Sequence, residues 1–247
     1  MAVQIKQITK KSDVLRFVKF GNEFYEGCEN FCPALILDEL DTFNVKKNPA
    51  FDVCEHVMFL AYQGNKIVGR IAGIINYEAN KKWGVNKVRF GWMDFIDDME
   101  VSKALLDAVA AWGKSKGMDK LNGPVGFTDF DHQGLIVEGF DHLVPMASLY
   151  NYPYYVKHID DYGLVKENDW IEIDFTNWGE KDTIADYFQK IKDAIHHCNV
   201  LELEYVSNKG ESTRRKVHPL KLCFRGQAWY LYGLCFSRLQ NFLNSPT

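Results

Sequence analysis

The chain has 247 residues, of which 47% are hydrophobic and 25% are charged, and its formal net charge is −4. Such a chain suits one large or two small globular domains with a buried core, and the acidic balance excludes an overall basic field that would attract nucleic acid. No apolar run approaches the roughly 18–20 residues that cross a bilayer, and residues 1–13 lack the apolar core of a signal peptide. We therefore expect a cytoplasmic protein without a membrane span.

Six cysteines are scattered along the sequence, and only Cys28 and Cys32 lie close together. Cysteines of a cytosolic protein are usually reduced. A single C-x3-C pair without a second Cys/His pair is a weak indication of zinc. We expect buried free thiols and no bound metal.

The first half of the chain alternates strands and helices. Residues 3–8 predict an edge strand, and the helical spacing of apolar residues over 12–25 predicts a helix capped by Ser12. Residues 33–43 predict a second helix, since proline suits a first turn. Two apolar runs around residues 63–66 predict a β-hairpin.

A strand over residues 87–96 leads into the next helix. That helix is predicted from Met99 to Lys116, since its apolar residues form one stripe and Gly117 follows them. Residues 120–126 then predict a short strand. Residues 152–175 predict a short helix, a glycine stop and a final strand.

The start of the Met99–Lys116 helix carries three carboxylates, Asp97, Asp98 and Glu100. Helix starts present unpaired N–H groups that can hold a phosphate. Asp97 and Glu100, three residues apart, fit a capping box that would occupy those groups, and their charge repels phosphate. The pattern favours a self-capped surface helix. The alternative is an anionic cofactor in a shifted position, which would use Lys81, Lys82, Lys87 or Lys103.

The element order β-α-α-β-β-β-α-β-α-β over residues 1–172 resembles the GNAT family of N-acetyltransferases. Two stretches carry the resemblance: the hairpin, strand and helix over residues 57–116, and the order of Tyr155 or His158 before Tyr162-Gly163-Leu164, which is similar to the family's YxxxGF segment. The resemblance implies a mixed sheet flanked by helices and acyl transfer from acetyl-coenzyme A to a small amine.

The same resemblance implies site residues. A tyrosine, Tyr155 or Tyr162, would protonate the leaving thiolate. The cofactor would be held at the strand–helix junction, by Phe95, Ile96, Asp97 and Lys103. The chain departs from the family here, because it has no glycine between Gly91 and Gly113 where the family has a loop of the type Q/R-x-x-G-x-G/A.

Residues 173–247 differ in character, with a formal charge of +2 against −6 for residues 1–172. Apolar residues at helical spacing over 183–198 predict a helix. Three strand-like runs follow, separated by turn sequences. This order predicts an antiparallel meander after a helix.

The segment Trp229-Tyr230-Leu231 is the tripeptide that names the WYL domain, and the runs 201–205 and 214–222 match the surrounding pattern. The resemblance implies an Sm/SH3-like antiparallel β-barrel that senses a nucleotide or oligonucleotide in bacterial transcription regulators. Guanidinium groups suit phosphate and aromatic rings suit bases. The implied ligand contacts are Arg214, Arg215, His218, Tyr230 and Arg238. A solvated face for the arginines and a core position for the tryptophan are the alternatives.

Two departures from the WYL pattern affect the expected function. No helix-turn-helix pattern precedes the segment, and the sequence ends where the family continues with a further arginine-bearing strand. We therefore expect an incomplete barrel whose open edge pairs with another copy of the chain.

Taken as a whole, the sequence predicts an α+β chain with an acetyltransferase-like domain over 1–172 and a partial WYL domain over 173–247. Two functions stay open. One is an acyl-coenzyme A-dependent transferase acting on a small amine, and the other is a regulatory module without catalysis that binds a nucleotide or oligonucleotide.

Overall fold

The computed structural model describes residues 2–128, 131–143, 149–168, 170–174, 181–206, 212–225 and 228–235. Two compact units make up the chain, Met1–Leu164 and Val165–Thr247. The boundary lies earlier than the predicted seam after residue 172, because the strand at Trp170–Asp174 pairs with a C-terminal strand and not with the first sheet. Among the described residues, no helix is long and apolar enough to cross a membrane.

The first unit is a mixed sheet with helices on both faces, as the sequence predicts. Its strands are β1 (Val3–Gln7), β2 (Cys54–Gln63), β3 (Lys66–Asn76), β4 (Lys87–Phe95) and β5 (Lys120–Asn122), in the order β1-β2-β3-β4-β5. Neighbouring strands are antiparallel except for β4 and β5, which are parallel. Its helices are α1 (Lys11–Phe24), α2 (Ile36–Thr42), α3 (Tyr77–Trp83), α4 (Met99–Ser115) and α5 (Tyr154–Tyr162).

Two apolar layers hold these helices to the sheet. On one face, the stripe of α4 predicted from the sequence is fully buried at Val101, Leu105 and Val109, together with Tyr155 of α5. On the other face, Phe17 of α1 packs against the sheet in a second cluster. The predicted β2–β3 hairpin is confirmed, and its turn contains Gly64 with φ 62°.

Two helix starts differ from the sequence prediction. Helix α1 begins at Lys11 after Lys10, which makes no side-chain cap, so the predicted cap by Ser12 is wrong. Helix α3 was missed, although Asn76 caps it by accepting from the N–H of Ala79 and Gly84 ends it with φ 63°. These residues are ordinary helix-end signals, and the short length of α3 left too few turns for a visible stripe.

The start of α4 is capped by Asp98 and not by Asp97. Oδ1 of Asp98 accepts the backbone N–H of Glu100 at 2.9 Å, and Oδ2 accepts from Nε2 of Gln63 at 2.9 Å. The predicted capping box between Asp97 and Glu100 is therefore wrong in its residues, because the extended backbone of the N-cap position falls at Asp98. The prediction that a carboxylate closes this helix start is confirmed.

This assignment predicts different effects for two acidic residues. Asp98→Ala should lower the free energy of unfolding by about 1 kcal/mol, because the N–H of Glu100 loses its acceptor. Glu100→Gln should lower it by about 0.5 kcal/mol or less, since only an interaction with the helix dipole is weakened. Urea denaturation of the two variants measures the difference, and a larger loss for Glu100→Gln would contradict the assignment.

The second unit is an antiparallel sheet with one helix against it. It contains β6 (Trp170–Asp174), α6 (Lys181–His196), β7 (Leu201–Val206), β8 (Ser212–Arg225) and β9 (Ala228–Cys235), with strand order β6-β9-β8-β7. Ile191 of α6 packs on Leu231 of β9 in a small core. The predicted helix and meander are confirmed, whereas closure into a barrel involves residues after 235, which lie outside the described part of the chain.

Candidate active site at the end of strand β4

Strand β4 extends well beyond its parallel partner. The two strands pair only from Lys87–Arg89 to Lys120–Asn122. The chain then turns close over β4, where the N–H of Val125 donates to the carbonyl of Phe90 at 2.8 Å. In the described part of the sheet, β4 continues from there to Phe95 with no strand on that side. The separation of β4 and β5 therefore leaves a gap in the sheet.

The backbone of β4 is also distorted where the gap begins. An extra residue interrupts its pairing with β3 between Arg70 and Ala72. Trp92 in this bulge has φ 46°, a left-handed conformation that strains a bulky residue. Its indole Nε1 donates to Oε2 of Glu39 at 2.7 Å, which ties α2 to the bulge. Bulges of this kind re-aim the residues that follow them.

Two tyrosines of α5 fill the gap. The N–H of Ile96 donates to Val68 on β3 at 3.0 Å, so the polar groups of Phe95 point to the opposite side by strand alternation. There, the hydroxyl of Tyr155 accepts from the N–H of Phe95 at 3.1 Å, and that of Tyr154 donates to its carbonyl at 2.5 Å. The phenols thus replace the hydrogen bonds of a neighbouring strand.

A buried ion pair lies behind these tyrosines. Nε of Arg70 donates to Oδ2 of Asp94 at 2.6 Å, and both residues are almost fully buried. The hydroxyl of Tyr25 donates to Oδ1 of Asp94 at 2.8 Å and lies 3.0 Å from that of Tyr155. Arg70 also donates to the carbonyl of Phe17 at 2.9 Å. Both carboxylate oxygens and two of the three guanidinium nitrogens therefore have partners, as a buried pair requires.

The tyrosine hydroxyls form an ordered chain. Because Tyr25 donates to Asp94, its oxygen accepts the proton of Tyr155, which in turn accepts from the N–H of Phe95. Burial, reinforced by the charge of Asp94, raises the pKa of both Tyr25 and Tyr155 well above the usual value. Both phenols therefore remain protonated around neutral pH.

A second polar group lies where β4 leads into α4. Oδ1 of the exposed Asp97 lies 2.9 Å from Nε2 of the buried His158, and Nδ1 of that ring lies 2.8 Å from Oγ of Ser102. The ring is also 5.1 Å from that of Phe95. A carboxylate, an imidazole and a hydroxyl are therefore in contact at the end of the sheet.

Most N–H groups at the start of α4 already have acceptors within the protein. The N–H of Glu100 donates to the side chain of Asp98, and those of Val101 and Ser102 donate to its carbonyl. Asp98 itself donates to the carbonyl of Ile96, and the N–H groups of Phe95 and Ile96 are used as described above. The N–H groups of Asp98, Glu100, Val101 and Ser102 are thus occupied, next to three carboxylates.

The sequence-predicted cofactor and catalytic residues fall into two groups. Phe95 and Ile96 use their backbone N–H groups within the protein, and Tyr155 is fully buried. Lys103 pairs with Asp107 at 2.7 Å, and the hydroxyl of Tyr162 donates to the same carboxylate at 2.9 Å. The structure thus brings Phe95, Ile96, Asp97 and Tyr155 together and places Lys103 and Tyr162 in a separate surface cluster.

The surface cluster predicts a change in stability at high pH. Burial and then the hydrogen bond to Asp107 raise the pKa of Tyr162 to about 12, against about 10 for an unfolded tyrosine. The folded form then holds the proton more tightly, so this stabilisation is present below pH 10 and is lost as the pH rises toward 12. Between pH 10 and pH 12, the free energy of unfolding should fall less in Tyr162→Phe than in wild type, as urea denaturation would measure. An equal fall in the two proteins would contradict the assignment.

The predicted ligand residues of the second unit lie mostly on β8. Arg214 and His218 lie on one face of β8, and Arg215 lies on the other face. Val217 shares the face of Arg215 and is fully buried. Nη2 of Arg214 lies 3.6 Å from Oε2 of Glu204 on β7. Tyr230 belongs to β9 and pairs with residues 174 and 223, but its side chain lies outside the described part, as does Arg238 altogether.

Sequence reasoning missed the most buried polar residues of the site. Tyr25, Arg70 and Asp94 were not singled out, and His158 was noted only as an alternative to Tyr155. One signal was available for Arg70 and Asp94, because a charged residue inside an otherwise apolar strand pattern indicates a buried pair. Nothing in the sequence indicates which residue is its partner.

Comparisons with known proteins relate this chain to bacterial proteins. Protein YghO from Escherichia coli (strain K12) is 32% identical over 163 residues, which is 66% of this chain and 41% of that protein. The bacterial ceramide synthase of Caulobacter vibrioides is 28% identical over 160 residues, covering 64% of this chain and 41% of the synthase. The chain therefore spans about two fifths of the length of these two relatives.

Solved structures with a similar course of the chain are acetyltransferases. An aminoglycoside acetyltransferase from an uncultured soil metagenomic sample, in complex with sisomicin, is 12% identical and has a TM-score of 0.43, covering 72% of this chain and 97% of its own. A predicted acetyltransferase from Clostridium acetobutylicum, with acetyl-CoA, is 13% identical and also has a TM-score of 0.43, covering 72% and 99%.

A family model matches part of the second unit. The WYL domain model covers residues 186–242, from within α6 past the end of β9. The match includes the tripeptide Trp229-Tyr230-Leu231 and the strand that carries Arg214. Residues 186–242 therefore belong to the WYL domain family.

Proposed function

We propose that the first unit transfers an acyl group from a thioester to the amino group of a lipid-like amine. The observation that carries the proposal is the end of β4, where tyrosine hydroxyls fill the gap beside Phe95 and the Asp97–His158 pair reaches the surface next to them. The similarity to a bacterial ceramide synthase supports it, since a ceramide is an amide of a long-chain amino alcohol. The GNAT resemblance of the element order points to the same reaction class.

The reaction has three parts: deprotonation of the amine, attack on the thioester carbonyl, and protonation of the leaving sulfur. An alkyl ammonium must lose a proton before its nitrogen can attack the thioester carbonyl. The C–N bond then forms, the C–S bond breaks, and the sulfur leaves with the electron pair and takes up the second proton lost by nitrogen. The side chains at the end of β4 include a carboxylate for the first proton, which follows the bulge at Trp92.

The acyl donor is proposed as a thioester in general, and acetyl-coenzyme A is one member of that class. A solved acetyltransferase with a similar course of the chain contains acetyl-CoA. In this chain, three carboxylates and the occupied N–H groups of Asp98, Glu100, Val101 and Ser102 at the start of α4 disfavour a diphosphate there. Recognition of the donor is therefore expected to depend on its acyl and thioester end.

The proposal is tested with the purified full chain, a palmitoyl thioester and a long-chain 2-amino alcohol. Mass spectrometry should detect the N-acyl product, and a thiol reagent should detect one thiol released for each amide formed. The matched control is the same amino alcohol with its nitrogen already acetylated, which should release no thiol. Release of fatty acid and thiol without amide would contradict the proposal, as would the absence of any reaction.

A second function is proposed for the WYL segment, because a family model matches it. The segment would bind an anionic nucleotide or oligonucleotide along the face of β8 that carries Arg214, Lys216 and His218. Glu202 and Glu204 pair with this face from β7 and lower its positive charge. Anisotropy of a labelled single-stranded oligonucleotide should show binding that weakens steeply with salt and weakens further in Arg214→Gln. Salt-independent binding or no binding would contradict this function.

A further inference from the structure

A buried histidine lies directly behind an exposed carboxylate at the end of β4. His158 is 4% exposed, whereas the side chain of Asp97 is 67% exposed. The two side chains meet through Nε2 and Oδ1 at 2.9 Å, and Ser102, which is 1% exposed, contacts the other ring nitrogen. A buried ring with both nitrogens engaged has little freedom to rotate, so the position of the carboxylate is fixed from behind.

The carboxylate defines the direction of this contact. A carboxylate without a proton can only accept, so Nε2–H of His158 donates to Oδ1 of Asp97. In the ring tautomer with its proton on Nε2, Nδ1 accepts from Oγ of Ser102. Asp97 is thus the acceptor of this hydrogen bond.

The surroundings keep the ring in place. His158 packs against the rings of Phe95 and Tyr154, at 5.1 and 5.5 Å. The titratable side chains that face it are Asp97 from the β4–α4 connection and Tyr154 from its own helix. Lys157 is near enough for its pKa to be raised by the charge of Asp97. Asp98 and Glu100 are the other carboxylates of the same helix start.

We infer that Asp97 receives the ammonium group of the acceptor amine and takes its proton, and that His158 is the residue that positions Asp97. This inference rests on the proposed acyl transfer. The carboxylate removes one proton from the ammonium ion and releases it to solvent, with which it is in contact. The neutral nitrogen then attacks the thioester carbonyl, and its remaining excess proton leaves with the thiol. Asp97 therefore acts on the acceptor and not on the acyl donor.

Two acceptors of equal length separate this role from a structural one. One is a long-chain alkylamine, which is an ammonium ion at pH 7. The other carries fluorine atoms beside the amino group, which lower its pKa so that it is neutral at that pH. Asp97→Asn should reduce kcat/KM for the first by about 100-fold, the usual effect of losing a general base. With the fluorinated amine the same variant should work nearly as well as wild type.

The histidine is tested by two replacements and one control. His158→Gln retains an N–H donor for Asp97 and should keep much of the activity, whereas His158→Leu removes it and should approach the loss seen in Asp97→Asn. Glu100→Gln, which changes the same charge on the same helix start, should leave the rate unchanged. Should the His158 variants not fold, titration of wild type with the alkylamine should still shift the His158 ring signals in an NMR spectrum.

The outcomes distinguish the inference from the proposed function. Wild type that forms no amide with any amine overturns the proposed function, and the inference with it. Wild type that forms amide while Asp97→Asn is equally active on both amines overturns the inference alone. An equal loss on both amines also overturns it, because a general structural defect would not depend on the charge of the acceptor.

Discussion

Replacing Asp94 with alanine is expected to lower the free energy of unfolding of the first unit by about 3–5 kcal/mol. The guanidinium of Arg70 would remain buried with its charge uncompensated, since the 2.6 Å contact to the carboxylate is lost. Tyr25 would lose the acceptor of its hydroxyl as well. A buried charge without its partner is among the largest single effects in protein stability. Urea denaturation followed by circular dichroism measures the loss.

Two controls make this result specific. Lys103→Ala breaks an ion pair whose side chains are 60% and 52% exposed, and it should cost only about 0–1 kcal/mol. The double variant Arg70→Met, Asp94→Leu removes both charges and should recover part of the loss. A loss for Asp94→Ala no larger than that for Lys103→Ala would contradict the buried pair.

Replacing Phe95 with alanine is expected to cost about 3–5 kcal/mol. Its ring is fully buried, stacks on Tyr155 at 4.1 Å between centroids, and lies against His158. Loss of the ring would leave a cavity beside Tyr155 and His158, which belong to the two polar groups of the site. Besides the loss of stability, we therefore expect a loss of acyl transfer in protein that remains folded.

The position of Phe95 in the core is checked against an exposed aromatic residue. Trp83 is 70% exposed, and Trp83→Ala should change the free energy of unfolding by no more than about 0.5 kcal/mol. Phe95→Leu should cost less than Phe95→Ala, because more of the volume stays filled. Similar effects of Phe95→Ala and Trp83→Ala would show that β4 does not end in a packed core.

Local patterns in the sequence predicted most elements of the first unit. The stripe of α4 has one helical period and fills one layer of the core, and the hairpin of β2 and β3 has two apolar runs around a glycine turn. Each of these features lies within a short window, where periodicity is informative. The mixed sheet was implied by the resemblance of the element order to the GNAT family. The start of α4 was misassigned by one residue because Asp97 and Asp98 are both good caps.

The polar core of the site could not be predicted in this way. Tyr25 and Tyr155 are 130 residues apart in sequence, and Arg70 and Asp94 lie on the neighbouring strands β3 and β4 with helix α3 between them in the chain. Hydrogen bonds between such residues depend on the packing of α1, β3, β4 and α5, which no single window contains. The pairing of Asp97 with His158, 61 residues apart, was hidden for the same reason.

The second unit was predicted from a different kind of signal. Trp229-Tyr230-Leu231 is a short motif, and its family carries a known order of helix and strands that residues 186–242 match. Helical spacing and strand-like runs predicted the elements, and the motif added the family resemblance. The strand from Trp170 to Asp174 joins this sheet through pairing with β9. The alternation of apolar and charged residues in this strand fits either sheet, which is why the domain boundary was predicted after residue 172.

The nature of the site at the start of α4 is tested most directly by comparing two acyl donors with the same acyl chain and the same amine. One is the coenzyme A thioester, and the other is the pantetheine thioester, which lacks the nucleotide and the diphosphate. Because Asp98 accepts from the N–H groups of Glu100, Val101 and Ser102 and because three carboxylates repel phosphate at this helix start, we predict amide formation from both donors, with kcat/KM differing by less than about tenfold. Amide formed from the coenzyme A thioester alone, or a loss of about 1,000-fold without the diphosphate, would contradict this account, since charge-assisted hydrogen bonds contribute about 1.5–3 kcal/mol each.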